Sequence, residues 1–515
     1  MAGLAALCGH QAGIPALPLF SDLIFEARAA AHKLVELSAG PHLRLGVTGL
    51  SRSGKTIFIT ALIEHLTKAA SPALKGRKNT LPVFRIHAEG RLTGGTLEPQ
   101  PDDAVPRFAY EDHIAALTGT KGFAGSRRWP ESTRRISELR LRLYFDQPAA
   151  MRPGRQTLTI DIVDYPGEWL LDLPLLAKSY AQWSRETFIA SASAGRAPLA
   201  AQWRGLSAST DPRAAADEEL ARQEAGLFTN YLRACRAGEY HFSTLPPGRF
   251  LMPGDLEGSP ALTFAPLAVE EGEIYPPDSF AAMMERRYEA YKAHVVKPFF
   301  RDHFSRLDRQ IVLIDALAAL NAGPAAMRDL ENALTGVLAA FRAGRGNILT
   351  SLFRPKIDKI LFAATKADHL HHTSHDRLEV ILRLLTKRAI ARAEKVGAEV
   401  DVIALSAVRA TREAKVGGIN EPALEAVIGT PLDGERIGEE TFDGVSEAAI
   451  YPGELPKDPE EVFREAPRLK PDEIDYRFVR FLPPVPVRAS DGTLLPPPHI
   501  RLDRALQYLL GDKLG

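Results

Sequence analysis

Cysteine is scarce: Cys8 and Cys235 are the two in 515 residues, and neither sits in a C-x-x-C or other metal-ligand spacing. A disulfide framework is excluded, and a reducing compartment is expected. No uninterrupted run of about 18 apolar residues occurs, so no membrane-spanning helix is expected. Residues 1–20 are apolar and uncharged, but they lack the basic start of a secretory signal and are broken by Pro15 and Pro18. Excess charge is missing as well. Sixty-four basic residues balance 64 acidic ones, so no nucleic acid is expected as a partner, and no acidic membrane surface as an obligate one. Internal repeats and low-complexity tracts are absent. What remains is 45% hydrophobic and 25% charged, the composition of a soluble globular protein of roughly three domains. The expected location is cytoplasmic, or peripheral to the membrane.

What is present begins with GLSRSGKT (49–56), set between the apolar run LRLGVT and the helical pattern IFITALIEHL. It fits the phosphate-loop pattern G-x-x-x-x-G-K-[ST]. Backbone N–H groups of such a loop, here from Gly49, Ser51, Arg52, Ser53, Gly54, Lys55, Thr56 and Ile57, curl around phosphates at the positive end of the following helix. Lys55 reaches the outer phosphates, and the Thr56 hydroxyl suits Mg2+, which takes oxygen ligands. Gly49 and Gly54 permit close approach or unusual backbone angles.

Along the chain, a capped helix is expected over 21–37, then a strand over 42–48, the loop, and a helix to about 70. Residues 71–130 read as a long connection with local helix around 109–118. Alternating ISELRLRLYF (136–145) and LTIDIVD (158–164) predict an antiparallel hairpin. A mostly helical stretch to about 304 follows, interrupted by Gly/Pro-rich 239–278. Strands are expected at 309–315, 358–368, 399–407 and 475–482. Helices are expected at 325–343, 374–396 and 502–511. Strands separated by helices argue for a three-layer α/β sheet, in which ligands bind at the carboxyl ends of the strands.

Further motifs fall at those ends. DYPG (164–167) offers Asp164 for magnesium, usually through water, and the Gly167 N–H for a terminal phosphate. TKAD (365–368) offers the Asp368 carboxylate to the N1–H and N2–H2 of guanine. Adenine would leave that charge unpaired. The stem of Lys366 can lie over the base beside Thr365. In SAV (406–408) the Ala407 N–H, flanked by Ser406 and Val408, can donate to guanine O6. Taken singly, each is also an ordinary strand-end turn.

In this order the motifs resemble the translation-factor and Ras-like class of GTPases, over roughly 41–167 and 305–410. GLSRSGKT, WPESTRRISELRL, DIVDYPGEWLLDLP, RQIVLIDALAALNAG and ATKADHL together resemble the YcjX family of bacterial stress-associated GTPases over most of the chain. The resemblance implies a phosphate-loop GTPase sheet with one antiparallel hairpin, a large helical insertion and a mixed C-terminal extension. The divisions are a segment and helix (1–40), the core's first part (41–168), the insertion (169–305), the core's second part (306–418) and the extension (419–515). It implies GTP or GDP as ligand and Mg2+ at Thr56 and Asp164. It also implies a regulatory role linked to envelope stress, with an unidentified protein effector.

The gaps from Thr56 to Asp164 and from Gly167 to Thr365 are longer than a minimal GTPase needs. The first should hold the switch threonine that covers magnesium: Thr133, with Ser132 as the alternative and a helix or strand cap as the plain reading. The insertion reads as a partner surface, or else as a lid or simple packing. Glu168 replaces the glutamine that orients water in Ras-like GTPases; it can act as a base, pair with an arginine, or point away, the last being favoured. Arg52 reads equally as a solvated side chain and as an arginine finger supplied in cis, as in the similar loop of guanylate-binding proteins. Catalytic candidates are therefore Arg52, Lys55, Thr133 and Gly167. Slow Mg-dependent hydrolysis of GTP is expected, with self-association able to press Arg52 inward. A non-catalytic nucleotide-sensing scaffold is the alternative; TKAD disfavours a kinase or ATPase.

Overall fold

The computed structural model describes residues 41–50, 52–71, 80–100, 102–120, 126–131, 133–147, 154–237, 242–339, 357–395, 397–417, 423–464 and 476–515. The expected helix at 21–37 and the candidates Ser51 and Ser132 lie outside these residues.

Seven strands make the central sheet: β1 (His42–Gly49), β2 (Leu92–Glu98), β3 (Ser137–Asp146), β4 (Arg155–Asp164), β5 (Arg309–Ile314), β6 (Lys359–Ala364) and β7 (Glu399–Ala404). Their order is β2-β3-β4-β1-β5-β6-β7. β1, β5, β6 and β7 run parallel, with Val47 opposite Ile311, Ile311 opposite Leu361, and Leu361 opposite Asp401. β3 and β4 form the expected antiparallel hairpin in unbroken register from Ser137–Asp164 to Asp146–Arg155.

Alternation within β5 defines the layers. Ile311 and Leu313 face the loop helix Lys55–Lys68 and the final helix Leu502–Leu510. Val312 and Ile314 face the helices Pro324–Ala339 and His375–Glu394. Both faces of the sheet are buried, so its parallel strands read as continuous apolar runs rather than alternating ones.

The stretch 71–130 is more than a connection. It contains β2, an antiparallel edge strand on β3, besides the expected helix, found at Tyr110–Thr118. LTGGTLE gave no strand signal because Gly-Gly carries no β-propensity. The glycine is needed for packing: a Cβ on Gly95 would lie 2.7 Å from the Leu66 carbonyl oxygen of the loop helix.

The insertion helices Tyr180–Ser191, Ala197–Ser209, Glu218–Arg236 and Phe280–Tyr291 close around an aromatic core. Trp183 stacks on Tyr288 with centroids 5.0 Å apart, and Trp203 stacks on Tyr231 at 5.5 Å. Ser179 opens the first helix with a capping box to Gln182, and Asp217 caps the third by accepting from the Glu219 and Leu220 N–H groups. This core is continuous with the Val312 and Ile314 face of the sheet.

Beyond β7, Arg412–Val416, Leu424–Gly429 and Ala448–Ile450 form a separate antiparallel sheet. The strand expected at 475–482 is absent among its described residues. There the chain makes a single bridge, Pro431 to Phe481, because Pro483 and Pro484 follow and cannot donate to a ladder.

Candidate functional site

The phosphate loop is built as its glycines require. A Cβ at Gly49 would sit 2.4 Å from the Leu313 carbonyl oxygen of β5. Gly54 has φ 83°, in the left-handed region, and caps the loop helix. Gly167 packs beneath the loop: a Cβ there would lie 1.7 Å from the Gly49 carbonyl oxygen. The DYPG turn and the phosphate loop therefore touch through backbone alone. The Lys55 ammonium is buried and donates to the Gly49 carbonyl at 2.8 Å.

Three oxygen-bearing side chains meet beside the loop. The Thr56 hydroxyl lies 3.3 Å from that of Thr133, which donates to Asp164 Oδ2 at 2.6 Å. Asp164 Oδ1 is buried and meets no hydrogen-bond donor among the described residues. Burial pushes the Asp164 carboxyl up to about 6, against the pull of the Lys55 charge and the Thr133 hydroxyl. An all-oxygen donor set with one unpartnered buried carboxylate oxygen fits a hard cation such as Mg2+. Thr133, the first of the two switch candidates, is found in this cluster.

The two later motifs stand at the other end of the site. Lys366 takes a left-handed φ of 61°, and its ammonium pairs with Asp315. Buried Asp368 accepts from the Ala410 N–H at 2.8 Å through Oδ2, and its backbone carbonyl accepts from the Thr411 hydroxyl. Ser406 is fixed by its hydroxyl bond to the Val408 carbonyl at 2.9 Å and by a bridge to Ile500.

One cavity of about 370 Å³ joins both ends. Arg52, Ser53, Gly54, Lys55, Thr56, Ile57 and Thr133 line it at one end. Thr365, Lys366, Asp368, Ser406, Ala407 and Val408 line it at the other. Gly49, Asp164 and Gly167 lie behind this wall and support it.

Arg52 is exposed, with φ 62°. It lines this cavity and an adjoining one of about 490 Å³, also walled by Glu168 and Arg236. Glu168 has turned to the insertion, where its carboxylate pairs with Arg236 at 3.2 Å. Pairing with an arginine is the alternative that this contact realises, while Glu168 still lines the first cavity beside the phosphate loop. The insertion also holds the segment after Gly167: buried Asp172 accepts from the Gly248 N–H at 2.6 Å and from the Tyr291 hydroxyl at 2.7 Å.

Sequence reasoning missed Trp129, Met252, His369, Leu432, Arg480 and Phe481, which also line the cavity. The Trp129 indole donates to the Phe481 carbonyl at 2.6 Å, and Arg127 to the Pro483 carbonyl at 2.6 Å. Trp129 stands in the WPEST stretch already singled out for Thr133; Phe481 lies in a segment with no motif.

The YcjX-like family, DUF463, matches residues 43–514. A relative from Escherichia coli (strain K12), named Ras-like GTPase YcjX, is 40% identical over 493 residues, covering 93% of this chain and 98% of the relative. Another of that name, from Shewanella oneidensis, is 36% identical over 501 residues, covering 94% and 97%. The chain belongs to the YcjX-like family.

Proposed function

We propose that this member of the YcjX-like family binds GTP and GDP with Mg2+ and hydrolyses GTP slowly to GDP and phosphate, as a stress-related switch in the cytoplasm or at the membrane periphery. The observation that carries the reading is the single cavity with Lys55, Thr56 and Thr133 at one end and buried Asp368 at the other. The relatives' name, Ras-like GTPase, supports it.

At the base end, Asp368 accepts from the guanine N1–H and N2–H2 while the Ala407 N–H donates to O6. Adenine would leave the carboxylate unpaired. At the phosphate end, Lys55 exchanges the Gly49 carbonyl for the outer phosphates, and the Gly167 N–H meets the terminal one. Thr56 and Thr133 would hold magnesium with Asp164 behind them, and the bound ion would supply neutralisation of charge on the phosphate oxygens. Arg52 has no hydrogen-bond or ion-pair partner among the described residues, which leaves its guanidinium available to stabilise charge developing during transfer. Glu168 is held by Arg236, so it does not replace the water-positioning glutamine, and slow turnover follows.

That same pairing favours a second reading, a scaffold that senses GTP or GDP and recruits a protein partner through the insertion. Phosphate release from GTP by the purified chain separates the two. Competition between GTP and ATP tests the base: equal affinity for both would sink the guanine reading.

A further inference from the structure

Directly after the base-reading motif, the chain runs DHLHHTSHD. His371 is buried and His372 is exposed beside Glu413 of Arg412–Val416. One ligand atom from each of the three lies within 4.8 Å of the others. We propose that His371, His372 and Glu413 bind a zinc-class divalent cation, at a position separate from the magnesium site.

The geometry shows both shells of such a site. Glu413 Oε2 faces both rings, 2.8 Å from His372 Nδ1 and 3.8 Å from His371 Nε2. Ligands of a tetrahedral ion with bonds of about 2.0–2.2 Å stand roughly 3.3 Å apart, so small side-chain shifts admit the ion. His371 Nδ1 hydrogen-bonds the Thr373 hydroxyl at 3.1 Å, which in turn donates to Glu425 Oε2, and that carboxylate stands 2.7 Å from the same ring nitrogen. A ligating histidine characteristically donates its second ring N–H to a carboxylate, which fixes the tautomer and leaves the other nitrogen for metal. The outer oxygens of both acids are already engaged: Arg409 stands 3.4 Å from Glu413 Oε1, and Lys415 stands 3.9 Å from Glu425 Oε1. Two imidazoles and one carboxylate select zinc, cobalt, nickel or copper over magnesium or calcium. Exposure of His372 leaves the fourth position for water.

The ion would join the loop after Asp368 to the strand after Ala410 and Thr411, which are the two residues that hold Asp368. Metal binding therefore fastens the base-reading carboxylate from both sides. This consequence rests on the guanine reading; the metal site itself does not.

The test uses the full chain, stripped with a chelator and then saturated with GDP and Mg2+ so that the phosphate end is occupied. Zinc is titrated against a chromophoric chelator, and cobalt is followed by the visible absorption of tetrahedral Co2+. One equivalent is expected, with affinity at least ~10-fold weaker in Glu413→Gln and in His372→Ala, whose exposed ring can be removed without disturbing the fold. Glu425→Gln should weaken binding ~10- to 100-fold, as loss of the carboxylate behind a ligating histidine does. Equal zinc affinity in wild type and His372→Ala overturns the site, leaving an ordinary cluster of ion pairs. Zinc should also slow GDP dissociation in wild type and not in His372→Ala. An unchanged rate with zinc bound overturns the coupling to Asp368, whereas the guanine reading falls only by the GTP–ATP competition.

Discussion

Arg52 is held at φ 62°, a backbone conformation uncommon for any residue but glycine, and it lines two adjoining cavities. An arginine supplied to a phosphoryl-transfer site is worth about 10²-fold or more in rate. Arg52→Ala is expected to keep GTP affinity within a few-fold while losing most of the hydrolysis. Arg52→Lys should recover little, since a point charge does not reproduce the planar fork. A wild-type rate of phosphate release in Arg52→Ala would make this a surface side chain. At the other end of the cavity, Asp368→Asn should shift preference toward xanthine nucleotides, because the amide donates to the extra base carbonyl. Nucleotide competition measures the shift. Residues of this kind were legible in the sequence because their signal is local: Lys55, Thr56, Asp164, Asp368 and Ala407 each sit in a short motif at the end of a recognisable strand. Thr133 is named from its place just ahead of the hairpin strand, but its contact with Asp164 needed the fold, since spacing does not by itself show that the hydroxyl meets the carboxylate.

Elements that complete the site from afar were not legible. Phe481 reaches the base end through the extension, and its ring meets that of His369 at 5.4 Å. No local pattern encodes such a contact, because it is fixed by the Trp129 indole and the Pro431 bridge across the chain. Phe481→Leu keeps apolar volume but loses the ring face. It is expected to weaken guanine nucleotide binding by about tenfold, as loss of a ring contact does. Titration with a fluorescent nucleotide checks this; unchanged affinity would mean that the ring only packs. Part of the Gly/Pro-rich stretch of the insertion packs against the site. Met252 lines the cavity, and a Cβ on Gly248 would lie 1.8 Å from the Glu168 carbonyl oxygen. Gly248→Ala must therefore push the insertion off the segment that follows Gly167. Its expected signature is a changed hydrolysis rate together with a lowered melting temperature, whereas a wild-type rate would uncouple the insertion from the chemistry.

At the scale of the whole molecule, buried ionisable groups tie stability to pH, and they pull in opposite directions. Glu224, in the insertion helix Glu218–Arg236, is buried, and desolvation pushes its carboxyl up to about 7 against a hydrogen bond from Thr210. The folded state then binds a proton that the unfolded chain, near its ordinary 4.5, has released. The stability this proton contributes is present below about 4.5 and is lost as pH rises through about 7. Asp172, raised to about 6 by burial, acts in the same sense. His65 opposes them. Burial and the neighbouring His499 lower it to about 3, so it stays neutral in the folded state and costs stability as pH falls below 6.5. A stability profile of the wild type alone therefore mixes the two signs. The difference between wild type and Glu224→Gln isolates one of them. The amide cannot ionise, so the wild-type advantage should be larger at about pH 5 than at about pH 8, shrinking as pH rises from about 4.5 to about 7 and levelling off above that. Urea unfolding of both proteins across that range measures it, and a difference that stays constant would mean that Glu224 ionises alike in the folded and unfolded states.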